Sequence, residues 1–115
     1  MTPLVRVDVD HEADHSVVTA HGRVFYDTVG ALADTLTPML TADRPRIVLD
    51  LSDVDVCDSS GLNLIVASHQ AAIRRDGWLR LVGLRPMVRR VVDVTNLGGV
   101  LSIHDTVDDA VKAPG

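Results

Sequence analysis

A chain of 115 residues is one domain on the usual scale of roughly 100 to 200 residues each, and its 46% hydrophobic content can bury a core, which excludes wholesale disorder. Fifteen of the sixteen acids are Asp, ten of the eleven bases are Arg, and the net charge is -5, so an electrostatic nucleic-acid binder is excluded; three aromatics, Phe25, Tyr26 and Trp78, supply no base-stacking groove. A single cysteine, Cys57, rules out an intramolecular disulfide and fits a reducing compartment. No apolar run approaches the roughly 18 residues of a membrane span, and Met1-Thr2-Pro3-Leu4 lacks a basic-then-apolar signal, so the expected location is the cytoplasm, with no membrane partner.

Between Leu4 and Asp10, Val5, Val7 and Val9 alternate with Arg6, Asp8 and Asp10, the period of a half-buried strand. Polar residues His11 to His15 turn the chain into a second strand, Ser16 to His21, which Gly22 is expected to end; the two make a hairpin. Apolar residues Val29, Leu32, Ala33, Leu36 and Leu40 recur at threes and fours and predict a helix within Asp27 to Leu40. The near-continuous apolar run Arg46 to Leu51 predicts a central strand covered on both faces. An Asp-rich loop, Ser52 to Asp58, should follow it. A second helix should begin near Ser60, bury Leu62, Ile65, Val66, His69, Ala72 and Ile73, and stop at Gly77. The rest reads as a strand Trp78 to Val82, a helix opened by Pro86 with Val88, Val91, Val92 and Thr95 inward, a strand Val100 to His104, and a short helix from Thr106, where Thr106 and Asp109 resemble a capping box. The order is that of an α/β domain with a mostly parallel sheet of four to five strands, an N-terminal antiparallel hairpin and about four helices. Residues 1–111 form the domain, and 112–115 read as a loose tail.

His11-Glu12-Ala13-Asp14-His15 matches the zinc pattern H-E-x-x-H, but that chemistry needs both histidines on one helical face, and two valine-rich strands bracket the segment. The stretch reads as a solvated hairpin turn, and no metal site is assigned. Calcium binding by Asp53-Val54-Asp55-Val56-Cys57-Asp58 fails because Cys57 holds the fifth position, Asp58 the sixth where Gly is needed, and Leu64 the twelfth. No phosphate-binding lysine loop occurs, the one lysine being Lys112. Ser59, His69 and several Asp lack a nucleophile elbow, so no cofactor and no catalytic residue is assigned, and His69 reads as a hydrogen-bonded histidine at the core edge.

Asp58-Ser59-Ser60-Gly61-Leu62 remains, at a strand-to-helix junction outside the carboxyl end of a central strand, where functional loops of open α/β sheets lie. One serine is expected to cap the helix, which leaves the other hydroxyl to spare. A phosphate there would meet the free N–H groups and positive end of the helix, but also Asp53, Asp55 and Asp58, and about two added negative charges at an acidic interface repel a partner.

These residues resemble a family. Ile47-Val48-Leu49-Asp50-Leu51-Ser52-Asp53-Val54 followed by Asp58-Ser59-Ser60-Gly61-Leu62 is similar to the signature of STAS domains, especially the bacterial anti-sigma factor antagonists, and the likeness continues through Leu79 to Val82, Pro86 to Leu97 and Thr106 to Val111. The resemblance implies a phosphorylation-gated binding module with no catalysis of its own. Its unphosphorylated form would bind an anti-sigma factor that is also a serine kinase and free a sigma factor, regulating transcription; a PP2C-type phosphatase would reset it. It implies phosphorylation at Ser59, with Ser60 the runner-up, and partner binding through Asp58, Ser59, Ser60, Gly61, Leu62 and Asn63; weak self-association into a homodimer is compatible with it. Two departures stand out: Gly22-Arg23-Val24-Phe25-Tyr26-Asp27 replaces an acidic segment common in the family, and Asn63 stands where many relatives have Gly.

That changed segment motivates an alternative, a constitutive STAS scaffold or transporter accessory subunit without a phospho-switch. A response-regulator receiver with an Asp phosphoacceptor at Asp50, Asp53 or Asp55 is disfavoured, because receivers alternate β and α from the start and use a late-sheet lysine.

Overall fold

The computed structural model describes residues 6–114. The elements in chain order are β1 (Arg6–His11), β2 (Ser16–Val24), α1 (Val29–Met39), β3 (Arg46–Cys57), α2 (Ser59–Arg74), β4 (Trp78–Val82), α3 (Pro86–Val94), β5 (Ser102–His104) and α4 (Val107–Lys112). The strands lie side by side in sequence order, β1 antiparallel to β2 and all other neighbours parallel. This is the expected α/β arrangement, with the N-terminal hairpin and four helices. Leu4 and Val5, expected in the first strand, lie outside the described residues. No described helix is long and apolar enough to cross a membrane.

The hairpin turn falls on residues 12–15, closed by the Glu12 N–H donating to the His15 carbonyl at 2.8 Å. His11 Nδ1 meets Ser16 Oγ and His15 Nδ1 meets Asp14, each at 2.8 Å, so the two histidines of the H-E-x-x-H pattern engage different partners on a turn. Val9 is 38% exposed, because β1 is an edge strand.

Two strand boundaries differ from expectation. β2 does not stop at Gly22 but runs to Val24, and β3 does not end at Leu51 but runs through the supposed acidic loop to Cys57. The two extensions pair with each other, His21 with Asp53, Gly22 with Val54, Arg23 with Val56 and Val24 with Cys57. The ladder shifts register twice, so β3 carries extra residues opposite β2, the mark of a bulged pair.

The main core joins Val18, Ala20 and Val24 of β2, Ile47, Leu49, Leu51 and Val54 of β3 and Leu79 and Leu81 of β4 to Leu32 and Leu36 of α1, Leu62, Ile65 and Ala72 of α2, and Val88 and Val92 of α3. The buried stripe of α2 is Gly61, Leu62, Ile65, Ser68 and Ala72; Val66 and His69 are half-buried and Ile73 is 52% exposed, so the stripe is rotated toward its small residues. His69 sits at the core edge as expected, but without the expected hydrogen bond: its Nδ1 is shielded and has no partner among the described residues. Thr95 does not face inward in α3; it is the exposed C-cap, its hydroxyl donating to the Val91 and Val92 carbonyls. The last strand is shorter than expected, with Val100 half exposed ahead of it.

Gly77 follows α2 but does not supply the left-handed turn, which falls on Asp76 at φ 61°. Gly77 is needed for close approach instead: a Cβ there would lie 2.0 Å from the Pro45 carbonyl oxygen.

A second, smaller cluster joins Val48 and Val82 to Ala110 of α4. Beside it Arg80, 4% exposed, stacks its guanidinium on the Trp78 ring at 4.0 Å and donates to the carbonyls of Ala110 at 2.7 Å and Ala113 at 3.0 Å. A cation facing the carbonyl end of a helix is electrostatically favoured, and here it fastens α4 to the sheet. Thr106 caps the other end, its hydroxyl accepting from the Asp109 N–H. The segment expected to be loose from Lys112 is therefore held as far as Pro114, whose carbonyl also faces Arg80.

Candidate functional site

Strand β3 leads directly into α2, and the serines stand at that junction. Pairing with β2 continues to the last residue before the helix, where the Asp58 N–H donates to the Val24 carbonyl at 3.0 Å. The N-cap is Asp58 and neither serine, a correction to the expected serine cap. Its Oδ1 accepts from the backbone N–H of Ser60 at 2.9 Å and Gly61 at 3.2 Å. Asp is as good a cap as Ser, and its charge also complements the positive helix end. Ser59 is thus the first residue of α2, with an exposed side chain, while Ser60 is half-buried. Among the described residues neither serine hydroxyl has a hydrogen-bond partner, so both are to spare.

The other oxygen of Asp58 accepts from the Tyr26 N–H at 3.1 Å, tying the β2–α1 connection to the start of α2. That connection is also hydrogen-bonded within itself. Buried Thr28 accepts from the Phe25 N–H at 2.9 Å and donates to the Arg23 carbonyl at 2.7 Å. The result presents Tyr26, 79% exposed, beside the serine-bearing turn. The sequence reading did not single out Tyr26 as a site residue. Its signal was there, as one of the chain's three aromatics and one of two in the segment that departs from the family's acidic pattern.

Of the residues expected to bind a partner, the structure leaves Ser59 and Asn63 exposed, Asp58 and Ser60 partly so, and buries Gly61 and Leu62. A Cβ on Gly61 would lie 2.5 Å from Cys57 Sγ and 2.7 Å from Val24 Cγ1, so glycine lets the helix start press against the β2–β3 ladder. Leu62 is a core residue, 4% exposed. Both are buried and seat the start of α2. Burial pushes the Cys57 thiol up to about 11, with the neighbouring Asp58 adding to it, so it stays protonated near neutral pH.

The acids ahead of Ser59 do not form the crowded loop that was expected. Asp50 accepts from the Ser52 N–H, Asp53 is bonded to His21, and Asp55 is paired with Arg85, which also donates to the Ser52 carbonyl. Along an extended strand Asp53 lies about 16 Å before Asp58, beyond the screening length of about 8 Å at physiological salt. Asp58 is therefore the acid that a group on Ser59 would meet. It already occupies the Ser60 and Gly61 N–H groups, which a phosphate was expected to find free.

Comparison with known proteins agrees with this geometry. The STAS domain family model matches residues 6–110. Over 67 residues the chain is 36% identical to an anti-sigma factor antagonist homologue of Thermotoga neapolitana, covering 58% of this chain and 59% of that one, so the match spans about three-fifths of the relative's length. It is 28% identical over 88 residues to the anti-sigma-B factor antagonist of Staphylococcus aureus, covering 76% and 82% of the two chains. Among solved structures, an anti-sigma factor antagonist from Mycobacterium paratuberculosis superposes with a TM-score of 0.85 at 26% identity over 96% of both chains. The strand-to-helix serine junction, the hairpin-led parallel sheet and these matches agree: the chain belongs to the STAS domain family, among relatives that are anti-sigma factor antagonists.

Proposed function

We propose that this chain is an anti-sigma factor antagonist that works as a phosphorylation-gated binding module without catalysis of its own. In its unphosphorylated form it binds an anti-sigma factor with serine kinase activity and thereby releases a sigma factor; phosphorylation of Ser59 ends that binding, and a PP2C-type phosphatase restores it. The observation that carries this reading is the exposed, unpartnered Ser59 hydroxyl at the first position of a helix whose start is already capped by Asp58. Because the cap is Asp58, the hydroxyl can be modified without unmaking the helix end. The contact surface comprises Ser59, Ser60 and Asn63 with Tyr26 alongside, while Gly61 and Leu62 hold it in place.

Incubation with the cognate kinase and ATP, followed by mass spectrometry, should place phosphate on Ser59, with Ser60 as the second choice; phosphate on neither overturns the reading. Ser59→Ala should retain partner affinity and Ser59→Asp should lose at least about tenfold, since like charge across an interface costs more than the 1.4 kcal/mol that a factor of ten represents. Equal affinity of the two variants would instead support the constitutive scaffold, which the Arg23–Phe25 stacking in place of an acidic segment favours.

A further inference from the structure

His21 lies on β2 between two carboxylates from different strands. Its Nδ1 is 2.5 Å from Asp53 Oδ2 on β3, and its Nε2 is 2.8 Å from Asp8 Oδ2 on β1. Its side chain is 21% exposed. The contacts differ in kind from those of the other strand histidines. The nitrogens of His11 and His104 face serine hydroxyls, which donate or accept as required, whereas an ionised carboxylate only accepts. A neutral imidazole has one N–H and one lone pair. In either tautomer one of the two contacts would set that lone pair against an anionic oxygen. Both become hydrogen bonds when the ring carries two N–H groups.

The surrounding charges are consistent with that state. Arg6 lies 3.6 Å from the same Asp8 oxygen on β1, and Arg85, just ahead of α3, pairs with Asp55 and also bears on Asp53. Arg6 opposes a charge on His21, but the two carboxylates in direct contact outweigh it. The position matters as well. His21 sits between the two register shifts of the β2–β3 ladder, where backbone pairing is interrupted and a side-chain tie has most to hold. On one side it reaches the edge strand. On the other it reaches the half of β3 that carries Asp58 and then Ser59.

We propose that His21 is a protonation-dependent clasp: doubly protonated, it ties edge strand β1 and the distal half of β3 to β2, and loss of its proton releases one carboxylate and loosens that side of the sheet.

The direction in pH follows from the contacts. The hydrogen bond donated to Asp53, then that donated to Asp8, raises the His21 pKa above its ordinary value, against the opposing effects of burial and of Arg6. The folded chain therefore holds the proton more tightly than the unfolded one. The stabilisation is complete below the unfolded histidine value of about 6.5 and is lost as the pH rises through the folded value. At the acid end the bond to His21 holds Asp53 below the usual carboxylate range, so the Asp53 contact persists until the pH falls through that lowered value.

Nitrogen-15 NMR of the imidazole in the intact chain tests this without a partner. At pH 6.5 the doubly protonated ring of His21 should be the major form, with a titration midpoint above 6.5. Above that midpoint the β1 amides should lose hydrogen-exchange protection, corrected for intrinsic rates, tenfold for each pH unit by which the midpoint is displaced. Asp8→Asn and Asp53→Asn should each move the midpoint back toward 6.5, a readout that a merely space-filling histidine would not give. A midpoint at or below 6.5, or β1 protection that does not change across the midpoint, overturns the proposal. The wild-type measurements decide alone if a variant fails to fold.

Discussion

The two halves of β3 obey different rules. Arg46 to Leu51 runs between β2 and β4, and Ile47, Val48 and Leu49 are all at most 1% exposed, so both faces of this half must be apolar. From Ser52 onward the strand has lost β4 and pairs with β2 alone. It buries only Val54 and Cys57, while Asp53 and Asp55 face water and find His21 and Arg85. One continuous strand thus changes from core element to half-exposed ribbon within a residue or two, and the ribbon half delivers Asp58 and Ser59. Central pairing supplies stability; the one-sided extension supplies a place where polar chemistry fits without disturbing the core.

The contrast can be broken most strongly in the central half. Leu49→Ala should cost about 2 to 5 kcal/mol in urea unfolding, whereas Val54→Ala, which removes two methyl groups from a site with one sheet neighbour fewer, should cost about 2 kcal/mol. Equal losses would mean that the extension is as tightly built as the centre. Asp58→Ala comes next. Loss of the cap should cost about 1 kcal/mol and, because the same carboxylate holds the Tyr26 N–H, should speed hydrogen exchange at Tyr26, Ser60 and Gly61 together. Faster exchange at Ser60 and Gly61 with Tyr26 unchanged would separate the aromatic loop from the serine turn. The smallest effect is at the ribbon surface. Asp55→Ala breaks an exposed pair with Arg85 and should cost about 0.2 to 1 kcal/mol at low salt, with the difference from wild type shrinking toward zero in 1 M NaCl.

Much of the fold was legible because apolar periodicity survives in one dimension. The threes and fours of α1 and the run from Ile47 to Leu49 signal burial that the structure shows, whereas the alternation before His11 marks an edge strand whose Val7 is half-buried and whose Val9 is exposed. The extension of β3 was misread for a physical reason. Asp53-Val54-Asp55-Val56 alternates as a strand should, yet its acids weigh toward a solvated loop unless His21, Gly22 and Arg85 are known to stand opposite. The serine junction was likewise legible, but the division of labour within it was not. Whether Asp58, Ser59 or Ser60 caps α2 depends on the angle at which the chain enters the helix, and that angle is set by the Val24–Asp58 pairing and the tight seat of Gly61. Arg80 could not be recognised as the anchor of α4, since its acceptors lie thirty or more residues away.

The amino-acid order by itself determined the sequence of strands and helices, the acidic net charge, and the serine pair at a strand-to-helix boundary, because each rests on local period, composition or adjacency. Tertiary structure decided which of those features touch. It turned an acidic loop into a paired strand, made Asp58 the link between Tyr26 and the Ser60 and Gly61 N–H groups at the start of α2, and set His21 between Asp8 and Asp53, because hydrogen bonds and ion pairs between distant residues exist only once the sheet has brought the strands into register.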